Sequence, residues 1–301
     1  MIQVLCIGYC CYDLIFYPDI PFECNVKYMI RETDESGGGP AANAAYLLSL
    51  WGIPAAFAGV LGNDHFGDLV LREFEAVNTD VRLVEKPEGF KTPFSSIVAD
   101  PGTGDRTIFT RHMTSDSYLP DWNRIPGLSP KVILADGHQL KATLDAVKRF
   151  PDAVLVLDAG SLRDETEKLL SLADHAVCSE RFGCSISGLD SLDSREEMKK
   201  ALDKISSICR GRCAVTLGEA GAAYIEDDEL RHIPAFMVDA ADTTAAGDIF
   251  HGAYVSALLD GKPFHDCLVF ASAAAALSVK ARGGRNSIPK PDDVKRFLKC
   301  K

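Results

Sequence analysis

The chemistry of this chain concentrates at Asp242-Thr243-Thr244-Ala245-Ala246-Gly247-Asp248, where small residues lead into an apolar stretch. Beyond Asp248 the apolar residues fall at Ile249/Phe250, Ala253/Tyr254 and Ala257/Leu258, the spacing of one buried helix face. Small side chains at 245–247 let a phosphate approach the backbone. The first-turn N–H groups of such a helix lack partners within it and point outward at the positive end of its dipole. Asp248 then stands beside an anion cradle, an electrostatically awkward place for a carboxylate. Accepting the proton of an attacking hydroxyl would account for it there. The competing reading is an ordinary helix start with a favourable first-turn Asp.

A second glycine-rich stretch, Gly37-Gly38-Gly39-Pro40-Ala41-Ala42-Asn43-Ala44-Ala45, opens another predicted helix. Tyr46, Leu47, Leu50 and Trp51 form its apolar side and Gly52 ends it. Glycines here allow torsions and close contacts that side chains forbid. Asn43 offers both donor and acceptor to a sugar hydroxyl, and equally suits a local cap or turn.

The elements that must position these two stretches alternate along the chain. Strand-like runs at 4–8, 55–60, 132–135, 153–157 and 213–217 alternate with helical patterns at 40–51, 64–76, 140–149, 164–171 and 195–209. That alternation predicts an α/β fold with a mostly parallel sheet and helices on both faces. Segments 12–35 and 91–112 break the rhythm. Within the second, Thr92–Ala99 and Arg106–Arg111 flank Pro101-Gly102-Thr103-Gly104 as a hairpin with its turn.

Together the two glycine- and alanine-rich stretches resemble the motifs of the ribokinase-like (PfkB-type) carbohydrate kinases, over about Ile2 to Pro289. Gly62-Asn63-Asp64-His65-Phe66-Gly67 is similar to the family's Gly-Asp-Asp-x-x-Gly turn, and Thr216-Leu217-Gly218-Glu219-Ala220-Gly221 to its nucleotide-side loop. Phe270–Ala276 and Gly283–Pro289 continue the match in order.

The resemblance implies a three-layer α/β/α core made of residues 1–11, 36–90 and 113–301. Segments 12–35 and 91–112 would form a small β-sheet lid that often makes a homodimer. It implies ATP with Mg²⁺ as phosphoryl donor, a small sugar as acceptor, and a role for K⁺. Asp248 matches the base, and Ala245, Ala246 and Gly247 the backbone anion hole. Asp13, Gly38, Gly39 and Asn43 match sugar-binding positions, and Arg106 lies in a lid stretch like those that touch substrate or phosphate. Thr216, Gly218, Gly221 and Ser272 match the nucleotide side. Asp242, Thr244 and Ser287, with carbonyls near Ser278, Ala281 and Gly283, match a monovalent-cation site.

Two departures narrow the expectation. Many members place magnesium through Asn-x-x-Glu, whereas this chain has Cys178-Ser179-Glu180-Arg181-Phe182, with Glu180 the remaining carboxylate. Pro40 stands where ribokinase carries the Lys of Gly-Gly-Lys, which disfavours ribose as the acceptor. A narrower resemblance, to bacterial sulfofructose kinase, rests on Lys27-Tyr28, Gly37–Ala42, Leu134-Ala135-Asp136, Phe250–Ala253 and Gly283–Arg285. It makes Lys27 a candidate for an anionic group on the sugar, but Thr110 and His138 stand about where that enzyme places an Asn and an Arg near the sulfonate. His138 remains a substrate-binding candidate. Lys280, Arg282 and Arg285 otherwise read as a basic helix end, and His112 and His138 as lining residues rather than catalysts.

Composition excludes other classes. A formal charge of −11 over 301 residues leaves no surplus of Lys and Arg for non-specific nucleic-acid binding. No stretch approaches the roughly 20 apolar residues of a membrane span, and the start does not read as a secretion signal, so a cytoplasmic enzyme is expected. The ten cysteines lack zinc-site spacing and read as free thiols. Gly37-x-Gly39-x-x-Ala42 imitates a dinucleotide fingerprint, but Thr33-Asp34-Glu35-Ser36 before it is not an apolar strand, and no P-loop sequence is present. A nucleoside kinase of the same superfamily and a non-catalytic sugar sensor are the remaining alternatives.

Overall fold

The structure is a computed structural model that describes residues 1–21, 23–100, 106–113, 115 and 117–300. The expected Pro101–Gly104 turn lies outside the described residues.

Successive side chains of a strand point to opposite faces of its sheet, and the first strand uses both. In β1 (Val4–Ile7), Val4 and Cys6 enter one apolar cluster while Leu5 and Ile7 enter another, all fully buried. A strand buried on both faces belongs in the middle of a parallel sheet covered by helices. Accordingly β1 lies between β4 (Ala55–Val60) and β8 (Val132–Ala135), parallel to both. Outward from there run β5 (Asp80–Glu85) on one side and β9 (Val154–Ala159), β10 (His175–Ser179) and β11 (Arg212–Thr216) on the other, all parallel. The antiparallel β12 (Ala222–Glu226) and β13 (Glu229–Ile233) complete the order β13-β12-β11-β10-β9-β8-β1-β4-β5.

Helices cover the two faces as the alternation predicts. On one face lie α1 (Pro40–Leu50), α2 (His65–Ala76), α7 (Ala246–Leu259), α8 (Phe264–Ser278) and α9 (Pro291–Lys299). On the other lie α3 (Leu140–Arg149), α4 (Asp164–Leu170), α5 (Glu180–Ser187) and α6 (Arg195–Ser206). Seven of the cysteines, among them Cys6, Cys10, Cys11 and Cys178, are buried and act as small apolar fillers. None of the helices in the described residues is long and apolar enough to cross a membrane.

A second sheet, in the order β3-β2-β6-β7, is built from β2 (Cys11–Tyr17), β3 (Glu32–Gly38), β6 (Phe94–Ala99) and β7 (Arg106–Arg111). Its strands are the segments that broke the helix–strand rhythm. β3 explains why the dinucleotide fingerprint misleads: a strand does precede the glycines, but its Glu32–Glu35 end is largely exposed and belongs to this small sheet.

The chain reverses direction across the large sheet at β1 and β8, where α/β folds characteristically open a crevice. One buried carboxylate ties that crevice together. Asp136, just past β8, accepts from Tyr9 N at 2.8 Å and Ala41 N at 3.2 Å through Oδ2, and from His138 N at 2.9 Å through Oδ1. A side chain at Gly8 would collide with it, since a Cβ there would lie 2.2 Å from the carboxylate. Burial pushes the Asp136 carboxyl up, but the charge and hydrogen bonds of His138 and the Tyr9 amide outweigh it and hold it below its ordinary value. A depressed carboxyl stabilises the fold fully above its unfolded-state value of about 3.9 and loses that contribution as pH falls through the folded one. Asp136→Asn is therefore expected to cost at least ~2 kcal/mol in urea unfolding at pH 7. The deficit should shrink toward pH 3; an equal deficit at both pH values would assign the loss to shape alone.

Candidate active site

Helix α7 begins at the open edge of the crevice with a strained residue. Ala245 caps it in the left-handed region, φ 60° and ψ 8°, which side chains with a Cβ seldom adopt. Ala246 N closes the turn on Thr243 O at 3.3 Å, and the amides of Gly247 and Asp248 follow in the first turn. Nothing lies within 4 Å of where a Cβ on Gly247 would be. The small residues thus leave the oriented amides approachable, as the sequence pattern requires.

Asp248 is half-buried beside them and accepts from Asn43 Nδ2 at 2.7 Å. Burial, then the nearby Asp158 carboxyl, pushes its pKa up to about 7 against the hydrogen bond of Asn43. Behind it, His251 Nδ1 is 3.1 Å from Asp158 Oδ2. Burial lowers the His251 pKa and, with Asp136, raises that of Asp158 to about 8.

The glycine-rich loop supplies the opposite wall. Gly39 has φ 100°, and a Cβ on it would sit 2.4 Å from Tyr9 O. A Cβ on Gly38 would sit 1.9 Å from Asp13 Oδ2, so only glycine lets Asp13 lie across the loop. Asp13 also accepts from Cys11 Sγ at 3.2 Å, and burial raises its pKa. Pro40 takes the first position of α1, where a missing N–H is harmless.

Other expected residues fall into distinct places. Arg106 extends from β7 to donate from Nη1 to Thr243 Oγ1 at 2.6 Å, putting a guanidinium over the anion loop. His138 donates its backbone N–H to Asp136, and its ring lies 4.8 Å from that of Tyr9. Lys27 is exposed in the connection between β2 and β3. Among the residues expected beside the nucleotide, Thr216 ends β11 and donates to Cys178 O at 3.3 Å, and Gly218 and Gly221 take positive φ in the following turn. Ser272 lies on α8, the helix packed along α7.

The six residues assigned to a monovalent cation converge. Asp242 accepts from Thr244 N at 2.8 Å, Gly283 N at 3.0 Å and Tyr17 OH at 2.7 Å. Burial raises its pKa, but these hydrogen bonds more than offset that and keep it ionised. Thr244 Oγ1 is buried with no hydrogen-bond partner. Ser278, Ala281 and Ser287 lie on the adjoining turns, where Ala281 N bonds Ser278 O at 3.0 Å and Ser287 Oγ bonds Gly284 O at 2.8 Å.

The structure corrects one sequence reading. Arg285 does not belong to a solvated basic helix end: it is 4% exposed and bonded to Asn43 and Glu73. Arg282 is exposed, pairs with Glu32 and lies 4.7 Å over the Tyr17 ring. Tyr17, Glu73 and Asp158 were not anticipated, since an isolated Tyr, Glu or Asp carries no motif. The Arg directly after Gly283-Gly284 could have suggested itself. At the stretch that departs from the magnesium motif, Phe182 is fully buried in the core and Ser179 caps α5.

A family model for pfkB family carbohydrate kinases matches residues 1–291. The chain belongs to this family. It is 28% identical to the ribokinase of Staphylococcus aureus over 267 residues, covering 86% of each chain. It is also 28% identical to a fructokinase of Klebsiella pneumoniae over 291 residues, covering 87% of this chain and 91% of that one. Among solved structures, the ribokinase of Thermotoga maritima superposes with a TM-score of 0.81 at 27% identity, covering 99% of this chain and all of the other. This carbohydrate kinase thus shares the ribokinase fold from end to end.

Proposed function

We propose that this kinase transfers the γ-phosphoryl group of ATP to a hydroxyl, primary by preference, of a small sugar, with Asp248 as general base. The observation that carries this reading is a carboxylate near pKa 7 in the first turn of α7, held by Asn43 beside open backbone amides. Phosphoryl transfer asks mainly for alignment and for neutralising charge that spreads over the phosphoryl oxygens. The amides of Ala246 and Gly247 and the Arg106 guanidinium would meet that charge. Asp13, Gly38, Gly39 and Asn43 would hold the sugar, with His138 and Lys27 toward its far end. Thr216, Gly218, Gly221 and Ser272 would flank the nucleotide.

Among the described residues no cluster of three or more His, Cys, Asp or Glu could hold a metal ion. Mg²⁺ takes most of its oxygens from phosphates and water and needs only one or two carboxylates. Glu180 is the carboxylate proposed to assist, and the ion would neutralise phosphate charge. Asp242 and Thr244 would hold K⁺, which the unpartnered Thr244 hydroxyl supports. The lid sheet suggests a homodimer, because every residue of its edge strand β7 is exposed, including Ile108 at 48% and Phe109 at 55%. The narrower reading, a sulfonated ketose as acceptor, draws on Lys27, while Thr110 and His138 depart from it. The buried Asp136 under His138 gives it no further support.

An ADP-release screen over pentoses, ketohexoses, sulfosugars, sugar phosphates and nucleosides should find turnover with a sugar; activity confined to nucleosides would replace the acceptor class. With the best acceptor, Asp248→Asn should lower kcat roughly 10²–10⁴-fold. Because the base works deprotonated, kcat/KM should fall about tenfold per pH unit below pH ~7, and undiminished turnover in the variant would remove Asp248 from this role. Replacing K⁺ with tetramethylammonium should slow the wild type while leaving Asp242→Ala slow in both, and a cation-independent rate would leave Asp242 a purely structural anchor. Phe109→Glu should convert a dimer to a monomer in light scattering, whereas a monomeric wild type would dismiss the lid interface.

A further inference from the structure

Arg285 occupies a place that a structural ion pair alone does not explain. Its guanidinium lies between the rings of Tyr46 and Phe74, 4.8 and 4.7 Å from their centroids. Nη1 donates to Glu73 Oε2 at 2.7 Å, and Nε donates to Asn43 Oδ1 at 3.0 Å. Glu73 in turn accepts from Gly37 N at 3.0 Å. A Cβ on Gly37 would come within 2.3 Å of Arg285 Nη1, so the first glycine of the loop makes room for the guanidinium. Two ring contacts and two hydrogen bonds hold this buried cation in one orientation.

We propose that Arg285 is a positioning residue for phosphoryl transfer, which locks the Asn43 amide so that its nitrogen faces the Asp248 carboxylate. An unrestrained amide can rotate by half a turn and exchange oxygen for nitrogen. With Nε of Arg285 on Oδ1, only one orientation is open, and Nδ2 meets Asp248 Oδ2 at 2.7 Å. The opposite orientation would set a carbonyl oxygen against a carboxylate oxygen. The relay runs Glu73, Arg285, Asn43, Asp248, and joins α2, the turn after α8, α1 and α7.

Several other groups bear on the same carboxylate. Asp158 on β9, Asp13 on β2 and His251 on α7 all influence Asp248, and Arg285 itself is felt by Asp13 and by the Cys10 thiol. A test must therefore separate the lost cation from the lost lock. Removing Arg285 alone strips the half-buried Glu73 of its cation and leaves it only the Gly37 amide, so lost charge and lost shape would be confounded. Glu73→Gln with Arg285→Met removes one charge of each sign, keeps the local net charge and fills a similar volume.

The inference rests on Asp248 being the base, but its readout need not. The Asp248 carboxyl carbon can be titrated by NMR in the ligand-free, ¹³C-aspartate-labelled protein, its signal assigned by its loss in Asp248→Asn. In E73Q/R285M the titration should move upward by roughly half to one pH unit, the weight of one hydrogen bond to the charged form. In an Asn43→Ala background, itself shifted, adding E73Q/R285M should move it no further, because Arg285 acts through Asn43. An unmoved titration in E73Q/R285M overturns the proposal, and so does a shift that adds fully to that of Asn43→Ala. If Asp248→Asn keeps full activity while the NMR shifts follow this pattern, the base assignment fails and the lock stands.

Discussion

A hydrogen bond of 2.7 Å, from the Asn43 amide to the Asp248 carboxylate, joins the first turns of the two helices that open on the crevice. It sets a constraint on everything around it. A carboxylate beside oriented amides and half out of water is costly, and without a donor aimed at it the cost grows. The surrounding structure supplies that donor and fixes it. Helix α1 must start where the glycine loop ends, α7 must start on a left-handed Ala245, and Asp136 must tie the ends of β1 and β8 to α1. Each of these is a local irregularity, and together they hold two side chains from residues 43 and 248 in register.

The small sheet is joined to the core by polar ties at the same edge. Tyr17 from β2 reaches Asp242, Asp34 at β3 meets Asn286, Arg282 meets Glu32, and Arg106 from β7 reaches Thr243. Most of these are exposed or half-exposed and individually weak. Apolar contacts also cross at the base, where Tyr12 stacks on Phe66 of α2 and Phe94 packs tilted against it. The sheet is therefore anchored near the glycine loop and lightly held toward its tip, an arrangement suited to a cover over a pocket.

How much of this could be read from the chain depended on how local the signal was. The parallel core was legible because buried strands are apolar on both faces: 55–60 and 132–135 coincide with β4 and β8, and 140–149 with α3. The helix start at 245–248 was legible because small residues run straight into an apolar stretch. β12 and β13 were not anticipated, since edge strands such as Glu229–Ile233 mix charged and apolar residues. Strand β10 was also unassigned, a short buried run between two helices. Arg285 was read as solvated because burial of a cation is decided by partners 212 and 242 residues away, Glu73 and Asn43, which no window of sequence contains. Tyr17 and Asp242, 225 residues apart, were hidden in the same way.

Under the proposed reading the two halves of the site are made of different materials. The phosphate-facing half would be mainly main chain: the left-handed turn at Ala245 and the amides that follow it. The acceptor-facing half would be largely side chain, drawn from β2, α1 and the stretch after β8. Alterations on the second half can redraw which alcohol is admitted while the first keeps its aim, so a single scaffold can change diet without relearning how to move a phosphoryl group.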